Sequence, residues 1–506
     1  MIIDGPGVSI DDVVAVARNG VEVAFSDAAL ERMASARAIV ARLADAEPAY
    51  GVSTGFGALA SVVIPADKRA QLQLSLVRSH AAGMGPPVET EVVRAMMFLR
   101  ARSLAMGYSG VQPQTAQGVL DLLNHRIHPV VPEFGSLGAS GDLAPLAHAA
   151  LGLIGEGIVE HQGSAVPAAE ALGTAGLEPV TLAEKEGLAL TNGTDGILGM
   201  LCLAVADIGG LLANADIVAA VTVEGMLATD RPFAADLQAL RPHEGQGTSA
   251  ANLRALLHES PIVASHRHDD PRVQDAYSIR CTPQVHGAAR DTLRHATATV
   301  AAELASAIDN PMVLPDGRVE SCGNFHGAPL GYVADFLAIA LADLGMISER
   351  RMDRMLDKSR SHGLPPFLAM DPGVDSGLMI AHYTAAGMCE ENRRMATPSS
   401  VDSYATSGMQ EDHVSMAWSA ARKLRRVIEN ANRILAVELV IAARAVEMRA
   451  PLTPAAATAA AISELRTRVA GAGPDRHVAP ELEAAAAMVR SGQIAVAVER
   501  ITGRLR

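Results

Sequence analysis

The chain has 506 residues, of which 49% are hydrophobic and 19% are charged, and its formal net charge is −14 at pH 7. This length predicts two or more structural parts, and the large hydrophobic share excludes a disordered chain. The acidic balance argues against nucleic-acid binding, since proteins that bind nucleic acids carry a basic excess or a dense basic patch.

The composition and the spacing of apolar residues predict a mainly α fold. Aromatic residues make up only 3% of the chain, whereas sandwiches and barrels draw on aromatic and β-branched residues. Residues 1–195, in which helical patterns alternate with glycine- and proline-rich loops, are predicted to form an α-rich, loop-rich catalytic part. Residues 196–506 are predicted to form a long central helical bundle with a C-terminal helical cap. Apolar steps of three or four residues mark two long helices. The apolar face of the first helix contains Leu330, Val333, Leu337, Leu341, Leu344 and Ile347. The second helix is predicted over 412–448, and its apolar face contains Leu424, Ile428, Ala431, Leu435 and Leu439.

Two apolar stretches, near 199–228 and 330–347, are long enough to suggest membrane helices. Aspartates interrupt both stretches, which favours buried helices of a large protein over membrane spans. The N-terminus lacks a basic region followed by an apolar run, so no signal peptide is predicted and the cytoplasm is the expected location. The four cysteines show no Cys-x-x-Cys spacing, so neither a zinc site nor a disulfide framework is expected.

Two short motifs could indicate a serine nucleophile and a metal site, but the residues around them do not support either function. Residues 51–55, GVSTG, have the spacing of a serine nucleophile elbow, which needs a strand before it and a helix after it. The flanking residues predict neither, so a serine hydrolase is not favoured. His266, His268, Asp269 and Asp270 could ligate a metal, but no further His/Asp pair at helical spacing supports them. The segment is therefore predicted to be a polar loop, and no metal is expected.

The stretch GSLGASGDLAP at 135–145 crowds small residues just before an apolar segment. If the chain bends tightly there, the amide nitrogen of Gly141 can attack the carbonyl carbon of Ala139. Loss of water at that carbon and dehydration of Ser140 would give a five-membered ring with an exocyclic methylene, a strong electrophile. Glycine at 141 leaves the nitrogen unhindered. Asp142 and Pro145 are predicted to begin a helix, whose positive end would favour negative charge on the ring.

Several motifs together resemble the aromatic amino acid ammonia-lyase family. They are YGVSTGFG, GSLGASGDLAPLAH, LTNGTDG, VQDAYSIRCTPQVHG, DNPMV, GNFHGAP and QEDHVSM, in this order, over roughly residues 5–450. The resemblance implies a 4-methylideneimidazol-5-one ring formed autocatalytically from Ala139, Ser140 and Gly141, with no external organic cofactor. It also implies a largely helical homotetramer that acts on a small amino acid, with active sites built from loops of three subunits.

The resemblance implies catalytic roles for three residues on separate loops. Removing ammonia from the α-carbon also requires loss of a β-proton that is not acidic, so a positioned base is needed. Tyr50 matches the family's catalytic base, although a free tyrosine has a pKa of about 10 and would need a cationic or hydrogen-bonding environment. Arg280 matches the residue that pairs with the substrate carboxylate through two hydrogen bonds. Tyr277 would lie beside the ring and the leaving amine.

Three further residues match positions around the ring. Asn192 matches the amide that holds the ring oxygen or the substrate carboxylate. Gln274 is expected to contact Asn192 without touching the substrate itself. Phe325 matches the aromatic side chain beside the ring. Whether the substrate amine or its imidazole carbon adds to the ring stays open.

The substrate is expected to be L-histidine, with urocanate as the product. In the family, the pair at Ser79 and His80 contacts the substrate side chain, and Ser-His resembles the members that act on histidine. Glu411 places a carboxylate where the phenylalanine and tyrosine enzymes tend to carry glutamine. A carboxylate can accept a hydrogen bond from an imidazole N–H and would be wasted on a phenyl ring. Gln410 is assigned to the same substrate-binding group.

Three alternative functions remain open, and two residues depart from the family pattern. A 2,3-aminomutase uses the same ring and is hardly separable by sequence. A phenylalanine or tyrosine ammonia-lyase is disfavoured by His80 and Glu411. A non-catalytic helical scaffold is disfavoured by the intact Ala-Ser-Gly. Asp195 stands where several relatives carry glutamine, and Met409 stands where others carry asparagine, which bears on rate and secondary specificity rather than on the reaction class.

Overall fold

The computed structural model of the chain describes residues 1–44, 53–55, 61–139, 141–268 and 270–506. These residues are mainly α-helical, with a few short strands, which confirms the predicted fold class. The chain divides into two compact units, each built from three separate segments. The division into a catalytic part over 1–195 and a long helical bundle with a C-terminal cap over 196–506 stays a prediction.

The first unit comprises residues 1–206, 297–335 and 398–422. It contains four small sheets, among the described residues, in which only the first pair of strands is parallel. The strands are β1 (Ile2–Ile3), β2 (Ala24–Phe25), β3 (Met84–Pro87), β4 (His128–Pro129), β5 (Pro132–Phe134), β6 (Ile158–His161), β7 (Ser164–Pro167), β8 (Met312–Val313) and β9 (Val319–Glu320), with β1 pairing β2, β3 pairing β5, β4–β6–β7 forming one sheet and β8 pairing β9.

Eight helices lie wholly within the first unit, among the described residues. They are α1 (Ile10–Asn19), α2 (Asp27–Ala44), α3 (Arg69–His80), α4 (Thr90–Ala105), α5 (Pro113–Asn124), α6 (Leu143–Leu153), α7 (Ala168–Ala175) and α8 (Glu186–Thr191), with short 3-10 turns at Ala66–Lys68 and Ser407–Met409. Every residue of α4 from Val92 to Ala105 is buried. Because this stretch is buried, the arginines that it carries must find partners inside the protein.

The second unit comprises residues 207–296, 336–397 and 423–506, and its described residues contain helices and loops but no strand of a sheet. Its helices are α10 (Ala235–Ala239), α11 (Glu244–Leu256), α12 (Pro261–Ala264), α13 (Tyr277–Arg280), α16 (Met379–Met395), α18 (Ala456–Leu465), α19 (Ala479–Arg490) and α20 (Gln493–Thr502), with 3-10 turns at Arg231–Phe233 and Pro366–Leu368. The last three helices lie after Pro451, where a helical cap was predicted.

Four long helices have residues in both units: α9 (Asp195–Gly225), α14 (Thr282–Leu304), α15 (Ala328–Leu356) and α17 (Ala417–Glu447). The apolar steps predicted for α15 and α17 are all buried, as one face of a packed helix should be. By length and composition, α9 and α15 could each cross a membrane, but 72% and 61% of their most apolar windows are buried within the chain itself. Such burial is typical of core helices.

The predicted start of the last long helix was wrong by five residues. The pattern predicted a helix from 412, whereas α17 begins at Ala417. Residues before it are held in another conformation, because Thr406 and Glu411 exchange backbone hydrogen bonds and Met416 adopts a φ of 55°. The Met416 N–H donates to the Leu137 carbonyl at 2.8 Å instead of joining a helix.

Candidate active site

Two glycine backbones lie against each other where the ring is expected. Gly141 has a φ of +71° and pairs with Gly193 in a parallel bridge. The Asp142 N–H donates to the Gly193 carbonyl at 2.6 Å. A Cβ added at position 141 would overlap that same carbonyl group, so only glycine fits this approach. Ala139 is almost fully buried, whereas Ser140 lies outside the described residues.

The Asp142 carboxylate caps a helix other than the one that follows it. Asp142 precedes α6, as predicted, but its side chain makes no capping hydrogen bond there. One carboxylate oxygen instead accepts from the N–H groups of Gly196 and Ile197, at 2.8 and 2.9 Å, at the start of α9. Ser136 Oγ donates to the other oxygen at 3.0 Å. Burial raises the pKa of Asp142 to about 7, although these donors favour the ionised form.

The segment before the ring is held by the starts of two more helices. The Gly138 carbonyl accepts from the Gly327 N–H at 3.1 Å, just before α15, and from Ser415 Oγ at 2.8 Å, just before α17. The starts of α9, α15 and α17 therefore contact Leu137, Gly138 and Asp142, and α6 begins directly after Asp142. Since helix N-termini carry partial positive charge, this surrounding favours negative charge developing on the loop.

Asn192 belongs to a buried polar network. Its Nδ2 donates to Asp309 Oδ1 at 3.2 Å and to the Asn310 carbonyl at 3.0 Å. Asp309 in turn lies 2.7 Å from the Nζ atom of Lys185, and both charged side chains are fully buried. Asn192 Oδ1 is buried with no partner among the described residues. The amide is thus fixed, and its carbonyl oxygen is the group left to meet a ligand.

The residues assigned to substrate specificity lie within the first unit. Ser79 Oγ lies 3.1 Å from His80 Nδ1 at the end of α3. Burial lowers the pKa of His80, while the Leu76 carbonyl and the charge of Glu411 act in the opposite direction. His80 and Glu411, both predicted to contact the substrate, therefore interact electrostatically. Among the described residues, only Thr406 donates to the Glu411 carboxylate, with Oγ1 at 3.0 Å from Oε2.

Phe325 and Gln410 sit on the loops that flank this region. Phe325 is half-buried, two residues before Gly327, whose N–H reaches the Gly138 carbonyl. The next residue, His326, stacks on His413 with ring centroids 5.6 Å apart, which joins the loop of Phe325 to that of Gln410 and Glu411. Gln410 itself is exposed.

Three predicted residues belong to the second unit. Tyr277 and Arg280 form the ends of α13, and the Arg280 guanidinium lies over the Tyr277 ring at 4.6 Å from its centroid. This contact is a cation–π pair, which fixes the arginine relative to the ring. Tyr277 is 71% exposed, and Gln274 is also exposed. Tyr50, the predicted base, lies outside the described residues.

Sequence reasoning missed the buried charges behind the site. Lys185 and Asp309 support Asn192, and Arg100 donates to the Asn192 carbonyl at 2.7 Å. The only signal was the presence of charged residues inside apolar segments, and the motif containing Asp309 was noted without assigning it a role. The roles of the predicted site residues themselves stay predictions.

Comparisons with known proteins agree on one family. Residues 8–467 match the family described as aromatic amino acid lyase. The chain is 59% identical to a histidine ammonia-lyase of Streptomyces avermitilis, over 100% of this chain and 99% of that protein. Among solved structures, it is similar to the tyrosine aminomutase of Streptomyces globisporus, with a TM-score of 0.94, 38% identity and 100% of both chains covered. It is also similar to the histidine ammonia-lyase of Trypanosoma cruzi, with a TM-score of 0.91, 38% identity and coverage of 99% and 95%. The chain belongs to the aromatic amino acid lyase family.

Proposed function

We propose that the chain is a carbon–nitrogen lyase that converts L-histidine into trans-urocanate and ammonia without oxidation. The observation that carries this proposal is the Gly141 backbone pressed against Gly193, at a loop contacted by the starts of three other helices. Glu411 near His80 supports histidine as the substrate. The curated relatives of highest identity also carry the name histidine ammonia-lyase.

The residues present fit a methylideneimidazolone ring formed from Ala139, Ser140 and Gly141. Gly141 stands where a side chain would overlap Gly193, Ala139 is buried, and Asn192 offers an orphaned oxygen nearby in the same unit. When present, such a ring supplies an electrophile that ordinary side chains lack. Ring formation needs no oxidant, since the Gly141 N–H adds to the Ala139 carbonyl and two water molecules leave.

The chain's own residues bind the substrate and move its protons. Arg280 would pair with the substrate carboxylate through its planar guanidinium, already oriented by Tyr277. Tyr50 would take the β-proton. Glu411 would accept a hydrogen bond from the substrate imidazole N–H. Burial lowers the pKa of His80, which favours the neutral imidazole, and a neutral imidazole can either donate to the substrate or accept from it.

We also propose a cytoplasmic homotetramer in which subunits share active sites. Large apolar side chains are exposed on one stretch of α15, at Phe336, Ile339 and Met346, and a second copy would cover them. The exposure of Tyr277 fits a residue that serves a neighbouring subunit's site. Light scattering of the purified protein tests the oligomeric state, and cell fractionation tests the location.

The substrate is tested by ultraviolet absorbance of the protein with L-histidine, L-phenylalanine or L-tyrosine. We expect a new urocanate band with histidine only, together with one ammonia released per urocanate. Cinnamate or coumarate bands instead would refute histidine as the substrate. A β-amino acid formed without release of ammonia would identify an aminomutase, which the similarity to the tyrosine aminomutase keeps as the second candidate.

The same assay tests Glu411 through the variant Glu411→Gln. A hydrogen bond to a charged group contributes about 1.5–3 kcal/mol, so kcat/KM for histidine is expected to fall about 10- to 160-fold. Asp412→Asn is the matched control, because it removes the same charge from an exposed neighbour. The assignment fails if both variants keep the wild-type kcat/KM.

A further inference from the structure

Behind the paired glycines lies a buried ion pair with no assigned role. Gly193 faces Gly141 on one side, and a Cβ built at Gly193 would overlap the Arg100 guanidinium and the Asp195 carboxylate on the other. The Gly193 backbone is therefore confined between the ring-forming segment and this ion pair. The Gly193 backbone cannot move away from Gly141 without meeting Arg100 or Asp195.

Arg100 is held firmly enough to act as a support. It extends from the buried stretch of α4, and it is 2% exposed. Its Nη1 lies 3.1 Å from Asp195 Oδ2 and donates to the Asn192 carbonyl at 2.7 Å. Its Nη2 donates to the Ile308 carbonyl at 3.0 Å. One guanidinium thus ties together the segments that carry Asn192, Asp195 and Ile308.

We propose that Arg100 and Asp195 are positioning residues for ring formation, which hold the Asn192–Gly193 backbone against Gly141. Closing the ring requires the Gly141 nitrogen to stay within bonding approach of the Ala139 carbonyl carbon. Holding reacting atoms in such a geometry contributes strongly to rate, and a displacement of about 1 Å can cost on the order of a hundredfold. This inference rests on the proposed function, because it presupposes that the ring forms.

The pair also compensates a buried charge. Asp195 is 1% exposed, and an aspartate buried to this degree needs a partner. Burial raises the pKa of Asp195, while the charges of Arg100 and Arg102 act in the opposite direction. In this chain Arg100 supplies the compensating charge and at the same time reaches the Asn192 carbonyl.

The test compares Arg100→Met with Arg102→Met, by the mass of the intact folded chain. Arg102 is equally buried on α4 and its charge also acts on Asp195, but its hydrogen bonds go to the carbonyls of Ser306 and Glu303 rather than to the glycine segment. Both variants lose a buried guanidinium and should melt at lower temperature than the wild type. Only Arg100→Met is expected to slow the loss of two water molecules, by about tenfold or more.

The variant Asp195→Asn keeps the side-chain shape. It tests whether the Arg100–Asp195 pair assists ring formation if Arg100→Met does not fold. It is expected to slow ring formation several-fold in a folded chain. The inference is overturned if Arg100→Met, or Asp195→Asn in its place, gains the ring as fast as Arg102→Met. A wild-type chain that deaminates histidine without losing the two waters would overturn the proposed ring, and the inference with it. A wild-type chain that gains the ring without acting on histidine would overturn only the proposed substrate.

Discussion

Replacing Gly141 by alanine is expected to prevent ring formation and to reduce turnover of histidine by at least about a thousandfold. A side chain at a φ of +71° costs on the order of 1–2 kcal/mol, and the added Cβ would also overlap the Gly193 carbonyl. The backbones must therefore separate, which removes the close approach on which ring closure depends. Intact mass and urocanate release on the same preparation measure both effects.

Gly176→Ala separates backbone strain from the steric overlap. Gly176 has the same φ of +71°, at the end of α7, but a Cβ there would meet nothing within 4 Å. This control should lose about 1–2 kcal/mol of stability and keep the ring. If Gly141→Ala forms the ring as the control does, the contact between Gly141 and Gly193 has no role in ring closure.

Replacing Lys185 by methionine is expected to destabilise the first unit by about 3–5 kcal/mol, because it leaves the Asp309 carboxylate buried without its cation. Asp309 also accepts from Asn192, so the amide should lose its fixed position and kcat should fall in the protein that remains folded. Chemical denaturation gives the first quantity, and urocanate release at saturating histidine gives the second.

Arg37→Met supplies the comparison for a partly exposed pair. The Arg37 guanidinium lies 2.8 Å from the carboxylate of Glu184, which precedes Lys185 in the sequence. The side chains of Arg37 and Glu184 are both partly exposed to solvent. Exposed ion pairs contribute about 0–1 kcal/mol, so this variant should be nearly as stable and as active as the wild type. Equal losses in the two variants would show that burial of the Lys185–Asp309 pair is unimportant.

The long helices were predictable because their apolar residues repeat along one face. The steps through Leu330 and Leu424 need only local spacing, and both sets are buried as predicted. The start of α17 was not predictable, because it depends on the Met416 N–H reaching the Leu137 carbonyl far away in the chain. Asp142 was likewise expected to serve its own helix, and it caps α9 instead.

Site residues were predictable where the sequence could be compared with the family. Buried charged residues whose partners lie far away in the sequence were not predictable. Glu411 and His80 were named from the resemblance to the family, and the charge of Glu411 acts on His80 in the folded chain. Arg100 and Lys185 carry no motif. Their partners at Ile308 and Asp309 lie 208 and 124 residues away, so only the folded chain shows why these charges are buried.

The most direct test of the account is the mass of the peptide that contains Ala139, Ser140 and Gly141, in a preparation that releases ammonia from L-histidine. We predict that this peptide is lighter by two water molecules and that its share rises in proportion to the activity. A fully active preparation in which the peptide keeps its unmodified mass would contradict the account.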